Sequence, residues 1–247
     1  MVGYIMTFIG KVKKALSEGK FCEESVDFLE DFLNALLGNP VSAGKVMLSL
    51  AKHPFFVREH IFWKKMERFL DGVFLSDEDQ AKFCAKLNEG GKKEENATRL
   101  LSYIEKAETN HKIDYIINTT RNFIIGNIDN AIYFRICYTT VNNIDEDLKF
   151  LADNIDNKKM EVSIHTNGLF ISGLMYQSDI DSSGCNNRYS FTELARVLDM
   201  YSLSYSDVAK YPNPGIYTLP SVIEQETEIQ SDLNFVKTFE DAKDGYA

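Results

Sequence analysis

Cysteine is scarce in this 247-residue chain and never clustered. The four thiols Cys22, Cys84, Cys137 and Cys185 include no Cys-x-x-Cys pair, and none has a histidine at ligand spacing. That argues against a structural zinc and for free thiols in a reducing compartment. Long apolar runs are absent too, and a spanning helix needs ~20 such residues. The apolar segment 1–10 is followed, not preceded, by Lys11, Lys13 and Lys14. This is the wrong order for a secretory leader, so a cytoplasmic location is expected. Gly90-Gly91-Lys92-Lys93 lacks the upstream glycine and the preceding apolar strand of a phosphate loop, and no Gly-x-Ser-x-Gly elbow occurs. The four histidines, His53, His60, His111 and His165, form no ligand set with carboxylates at matched positions. The expectation is a non-enzyme with no cofactor and no metal, and nothing indicates a small-molecule ligand.

What is present is charge, unevenly spread. The formal net charge is -10. Residues 1–70 hold ten Lys/Arg against eight Asp/Glu, whereas residues 141–218 hold six against eleven and residues 219–247 two against seven. An acidic chain does not adhere to nucleic acid in general, because that affinity rests on Lys/Arg displacing counterions. DNA binding would have to rest on a local patch. The acids Asp77-Glu78-Asp79 and Asp145-Glu146-Asp147 read as helix N-termini, where negative charge is favourable.

Helical periodicity dominates residues 1–155. Ile5, Phe8, Ile9, Val12 and Leu16 with their lysines make residues 1–20 a basic amphipathic helix, docked on the body or resting on an anionic membrane surface. Helices follow over 23–37, 41–52 and 55–70, punctuated by Gly38-Asn39-Pro40 and Pro54. The third carries Phe55, Phe56, Phe62, Trp63 and Phe69, a density expected of a core, with Phe55, Phe56 and Trp63 as candidates for a partner-binding groove. Ser76 with Asp79 resembles a capping box for the next helix. Helices over 97–107, 113–125, 128–141 and 144–155 complete the segment. Those over 113–125 and 128–141 are apolar on most faces, which places the centre of the bundle there.

The organisation changes near Asp156-Asn157. A helix is expected over 158–173, stopped by Gly173, then two strands at 174–176 and 188–191 around a polar tip rich in Asp, Ser, Gly and Asn, then a helix capped by Thr192. This order of helix, Gly173-Leu174-Met175, polar wing, and Tyr189-Ser190-Phe191-Thr192 with Leu194-Ala195 is similar to bacterial winged helix-turn-helix domains. The match covers about residues 144–203. The whole chain also resembles uncharacterised proteins of bacterial mobile elements. The resulting expectation is a mainly α protein: a helical bundle at 1–155, a winged-helix-like module with one β-hairpin at 156–210, and an acidic, partly extended tail at 211–247.

The resemblance implies that the 158–173 helix reads nucleic acid, with the 174–191 hairpin as its wing. The residues able to do so are Lys158, Lys159, Ser163, His165, Thr166, Asn167 and, on the wing, Arg188. Against this, residues 156–198 hold four Lys/Arg and five Asp/Glu, and the wing tip carries Asp179 and Asp181. Those carboxylates would meet phosphates with the wrong sign. Binding another protein, or a second copy, is therefore expected ahead of sequence-specific DNA binding, and association with a membrane through residues 1–20 comes third.

Overall fold

The computed structural model describes residues 60–180 and 187–205, together with 10, 14, 29–34, 36, 37 and 43–46. Phe55, Phe56, Cys22, Cys185, Asp181, the tail 211–247 and all of residues 1–20 except Gly10 and Lys14 lie outside the described residues. Among those described, the elements in chain order are α1 (His60–Val73), α2 (Asp77–Leu87), a 3-10 turn (Glu89–Gly91), α3 (Lys93–Lys106), α4 (Asn110–Ile125), α5 (Asn130–Asn142) and α6 (Asp145–Asn154). There follow β1 (Met160–Glu161), α7 (Ile164–Ile171), β2 (Met175–Ile180), β3 (Asn187–Phe191), α8 (Glu193–Leu198) and a π-turn (Asp199–Leu203). No helix among the described residues is long and apolar enough to cross a membrane.

Helices α2, α4, α5, α7 and α8 each start where a short polar side chain takes up a free backbone N–H. Ser76 Oγ accepts from Asp79 N at 3.2 Å, Thr109 Oγ1 from Lys112 N at 3.2 Å and Asp129 Oδ1 from Ile132 N at 2.8 Å. Helix α4 is central: α1, α2 and α5 pack on it, and α3 bridges α1 and α5. Its Ile113, Ile116 and Phe123 are wholly buried, as are Tyr133 and Ile136 of α5 at 0–1% exposure, where the sequence places the core. Phe123 stacks on Tyr133 at 4.5 Å, and Phe83 of α2 meets the Phe123 edge at 6.3 Å. The Tyr133 hydroxyl shares a hydrogen bond with Thr120 Oγ1 at 3.1 Å, which removes the cost of burying it.

Trp63 belongs to this core and not to a partner groove. It is 0% exposed, its ring meets Phe62 edge-on at 5.4 Å, and Phe62, Met66, Phe69, Leu70 and Val73 are buried with it along the inner stripe of α1.

Residues 158–173 do not form the single helix that the sequence suggests. The helix is confined to Ile164–Ile171, and Met160 and Glu161 form a strand that pairs antiparallel with Tyr189 and Arg188. Strand β3 has an edge that β2 leaves open, so its backbone groups find partners in residues 160–161, and Ser163, in extended conformation, marks where the helix begins. The single expected hairpin is thus a three-stranded antiparallel sheet of order β1-β3-β2. Its inner face carries Met175, Tyr189 and Phe191, all nearly buried, with Arg188 outward by the two-residue alternation of a strand. Gly173 ends α7 at φ 76°, a left-handed conformation that other residues adopt at a cost.

Candidate functional site

The site begins with a carboxylate at the head of a helix. Asp147 sits in the first turn of α6, 7% exposed, and its Oδ1 lies 2.8 Å from Nδ1 of His165 on α7. The His165 ring stacks on Phe150 of α6 with centroids 5.0 Å apart. One turn along α7, Gly168 lies under the same carboxylate, and a Cβ there would overlap Asp147 Oδ2. The missing side chain lets α7 approach α6 this closely. On its other side α7 buries Thr166 and Leu169, both at 0% exposure.

This seating decides which face of α7 is left outward. Ile164 is 82% and Ile171 85% exposed, the most exposed of the large hydrophobic side chains among the described residues. With Asn167, also exposed, they occupy positions i, i+3 and i+7 of one helical face. Val162, at 51% exposure, precedes that face at the exit of β1. Helix α7 itself, Ile-His-Thr-Asn-Gly-Leu-Phe-Ile, has no Lys, Arg, Asp or Glu.

The residues singled out for nucleic-acid contact are scattered by this geometry. Lys158 and Lys159 precede β1 and are not on the helix; both are exposed. Lys158 gives its carbonyl to Ser190 Oγ at 2.7 Å, and Lys159 Nζ is paired with Asp179 Oδ2 at 2.8 Å. The wing-side acid is therefore partly neutralised, and so is the lysine that would have met phosphate. Ser163 and Thr166 form a reciprocal capping box: Ser163 Oγ accepts from Thr166 N at 3.1 Å, and Thr166 Oγ1 from Ser163 N at 2.7 Å. Thr166 is buried and presents no atom to a partner. His165 is tied to Asp147. Asn167 on α7 and Arg188 on β3 are outward.

A second imidazole–carboxylate pair lies at the same helix head. His111 of α4 sits 3.0 Å from Asp145 Oδ2, with Lys149 Nζ at 3.5 Å, while Asp145 Oδ1 is buried with no hydrogen-bond partner. Neither imidazole is hydrogen-bonded to a hydroxyl or thiol among the described residues, and no three His, Cys, Asp or Glu side chains among them come together to hold a metal. Burial pushes the thiols of Cys84 and Cys137 up, Cys137 to about 12, so neither is a ready thiolate. The two pairs act as clamps, fixing α6 against α4 on one side and against α7 on the other.

Sequence reasoning missed both pairs, because their members are 34 and 18 residues apart. The local signal, acids at alternate positions opening a helix, is fully explained by the helix dipole. It also missed the outward aliphatic face of α7, which depends on what α7 packs against. No protein-family model, curated protein or solved structure matches this chain.

Proposed function

We propose that this chain is a non-enzymatic protein that acts by binding another protein, in the first instance a second copy of itself, through the outward face of α7. One observation carries the reading: two isoleucines, Ile164 and Ile171, more than four-fifths exposed on an uncharged helix. Covering each would contribute roughly 1.5–3 kcal/mol if burial were complete. Exposed isoleucine is ordinary singly; two on one face, continued by Val162, make a surface that gains from being covered. The chain repels copies of itself through its net charge of -10, and the uncharged α7 face is where two copies meet with least like-charge contact.

The order of helix, hairpin and capped helix, with a sheet of order β1-β3-β2, supports reading residues 156–210 as a winged-helix-like module. The departure is a strand between α6 and α7, where a helix-turn-helix joins its helices by a short turn. A second reading, DNA contact, is favoured by the outward Lys158, Asn167 and Arg188 beside the hairpin. Three such contacts without a cation on the helix make it the weaker of the two.

Sedimentation velocity over a concentration series tests the proposal. The wild type is expected to associate as concentration rises, and the Ile164→Asp/Ile171→Asp protein to stay monomeric with an unchanged thermal transition. A wild type that remains monomeric throughout rejects self-association. Fluorescence anisotropy with a random duplex pool at low salt separates the second reading: binding that falls steeply with added salt and is lost on Arg188→Gln favours DNA over protein docking.

A further inference from the structure

A cavity of about 350 Å³ lies between α3 and α5, with Ser172, the residue after Ile171 of α7, and Leu194 of α8 also on its wall. Arg99 and Tyr103 line it from α3, and Ala131, Phe134, Arg135 and Tyr138 from α5. Ala131, Arg135 and Tyr138 fall at i, i+4 and i+7, so one face of α5 supplies a small residue, a guanidinium and a ring. Its volume is near the low end of the ~300–1,000 Å³ typical of small-ligand sites, enough for one small organic molecule.

The charge of this cavity runs against that of the chain. Some cations elsewhere are matched: Arg68 chelates Asp114 with two bonds of 2.7 Å, Lys159 pairs with Asp179 and Lys112 with Glu108. Lys158, Arg188 and Arg196 on the surface have no carboxylate partner among the described residues. Among the described residues neither Arg99 nor Arg135 pairs with a carboxylate, although the chain has ten more acids than bases. Arg99 is instead held over the face of the buried Phe134 ring at 4.2 Å, a cation–π contact that orients the guanidinium without using its N–H fork. Two arginines on the wall of one concave, partly apolar space supply the charge and the donors that an anion needs.

The number of arginines selects among anions. A carboxylate carries one charge, which one fork satisfies, whereas a phosphate monoester carries about -1.5 to -2 at neutral pH and three acceptor oxygens, which match two. The Tyr138 ring, 58% exposed, offers a face on which a planar group can stack. We propose that this cavity binds an organic monophosphate of about nucleotide size, the phosphate held by Arg99 and Arg135 and a planar ring resting against Tyr138.

Isothermal titration of the full chain with adenosine 5′-monophosphate at low salt tests this, with inorganic phosphate and adenosine as separate probes. The expected result is saturable binding of the monophosphate, weaker binding of inorganic phosphate and weakest of adenosine. Arg135→Gln, at an exposed position, should weaken the monophosphate about tenfold or more (~1.4 kcal/mol) and leave the thermal transition unchanged, while Lys64→Gln on the exposed side of α1, outside the cavity, should change neither. Arg99→Lys keeps a cation over Phe134 but removes the fork, and should weaken binding similarly without the folding risk of removing the cation. No saturable binding at millimolar monophosphate overturns the proposal. So does binding that Arg135→Gln leaves intact, or an adenosine affinity equal to that of the monophosphate.

Discussion

Gly168 shows how one residue sets a surface. In an exposed helix interior, Gly→Ala ordinarily stabilises by about 0.5–1 kcal/mol. Here the new Cβ would overlap Asp147 Oδ2, a carboxylate pinned by His165, so α7 must move away from α6. We expect Gly168→Ala to destabilise by about 1–3 kcal/mol in urea denaturation, the scale of overpacking. An unchanged or raised midpoint would show that α7 is not seated on α6 in this way. The glycine itself is plain in the sequence, where it only weakens a helix; its reason lies 21 residues upstream in a carboxylate that sequence assigns to the helix dipole. Cys137 gives a second residue-scale outcome. Burial is the main cause that pushes its thiol from an ordinary 9.0 up to about 12, and Tyr133 beside it is raised by burial as well. Both are groups kept neutral by the fold, so the stability this gives is fully present below pH 9. It is lost as the unfolded chain ionises and pH rises from about 9 toward 12. Midpoints should be flat in this respect below pH 9 and fall above it, and mass-spectrometric mapping at pH 8 should find Cys137 alkylated by iodoacetamide only once denaturant is added. Native-state alkylation of Cys137 would mean that α5 opens locally.

Among the elements, those with strong period and a local start signal were legible: the stripe of α1, the Ser76 cap of α2, the apolar α4 and α5, the Gly173 stop and the Thr192 cap. What escaped was β1. Two residues carry no alternation, and Met160 and Glu161 are strand only because Tyr189 and Arg188, some thirty residues on, offer an open edge. The extension of α7 to Lys158 failed for the same reason, since the first stretch of that periodic pattern was taken by the sheet. Helix α7 is also only eight residues long, and isolated helices shorter than about 12–15 residues are marginal in water. Its capping box therefore matters more than a cap on α4 would. Ser163→Ala should cost about 1 kcal/mol in global unfolding, and hydrogen exchange of residues 164–171 should quicken more than that of α4. Equal protection across the two helices would show that packing on α6 alone holds α7.

At the scale of the whole molecule, the composition shift near Asp156 suggests a boundary, yet hydrogen bonds run across it. Asn118 Nδ2 donates to the Ser202 carbonyl at 2.8 Å, Asn122 Nδ2 to that of Tyr201 at 3.1 Å, and Ser202 Oγ to that of Tyr115 at 3.0 Å. Asn122 and Ser202 are wholly buried, and α4 thus serves both as the centre of the bundle and as the bed for the π-turn after α8. Buried polar pairing of this kind makes separation costly, because each group parted from its partner without reaching water loses about 1–3 kcal/mol. Residues 60–180 and 187–205 should then unfold as one cooperative unit. The chain carries a convenient reporter, since Trp63 is its single tryptophan and lies in α1, far along the sequence from the module. Leu198 of α8 is 0% exposed, so Leu198→Ala removes buried methyl groups at a cost of about 2–5 kcal/mol. If the unit is cooperative, the Trp63 fluorescence transition in urea moves to lower denaturant by that amount with its slope unchanged. If the module folds on its own, Leu198→Ala leaves the Trp63 midpoint where it was while amide protection over 187–203 collapses, and the bonds from Asn118 and Asn122 join two units that are separately stable.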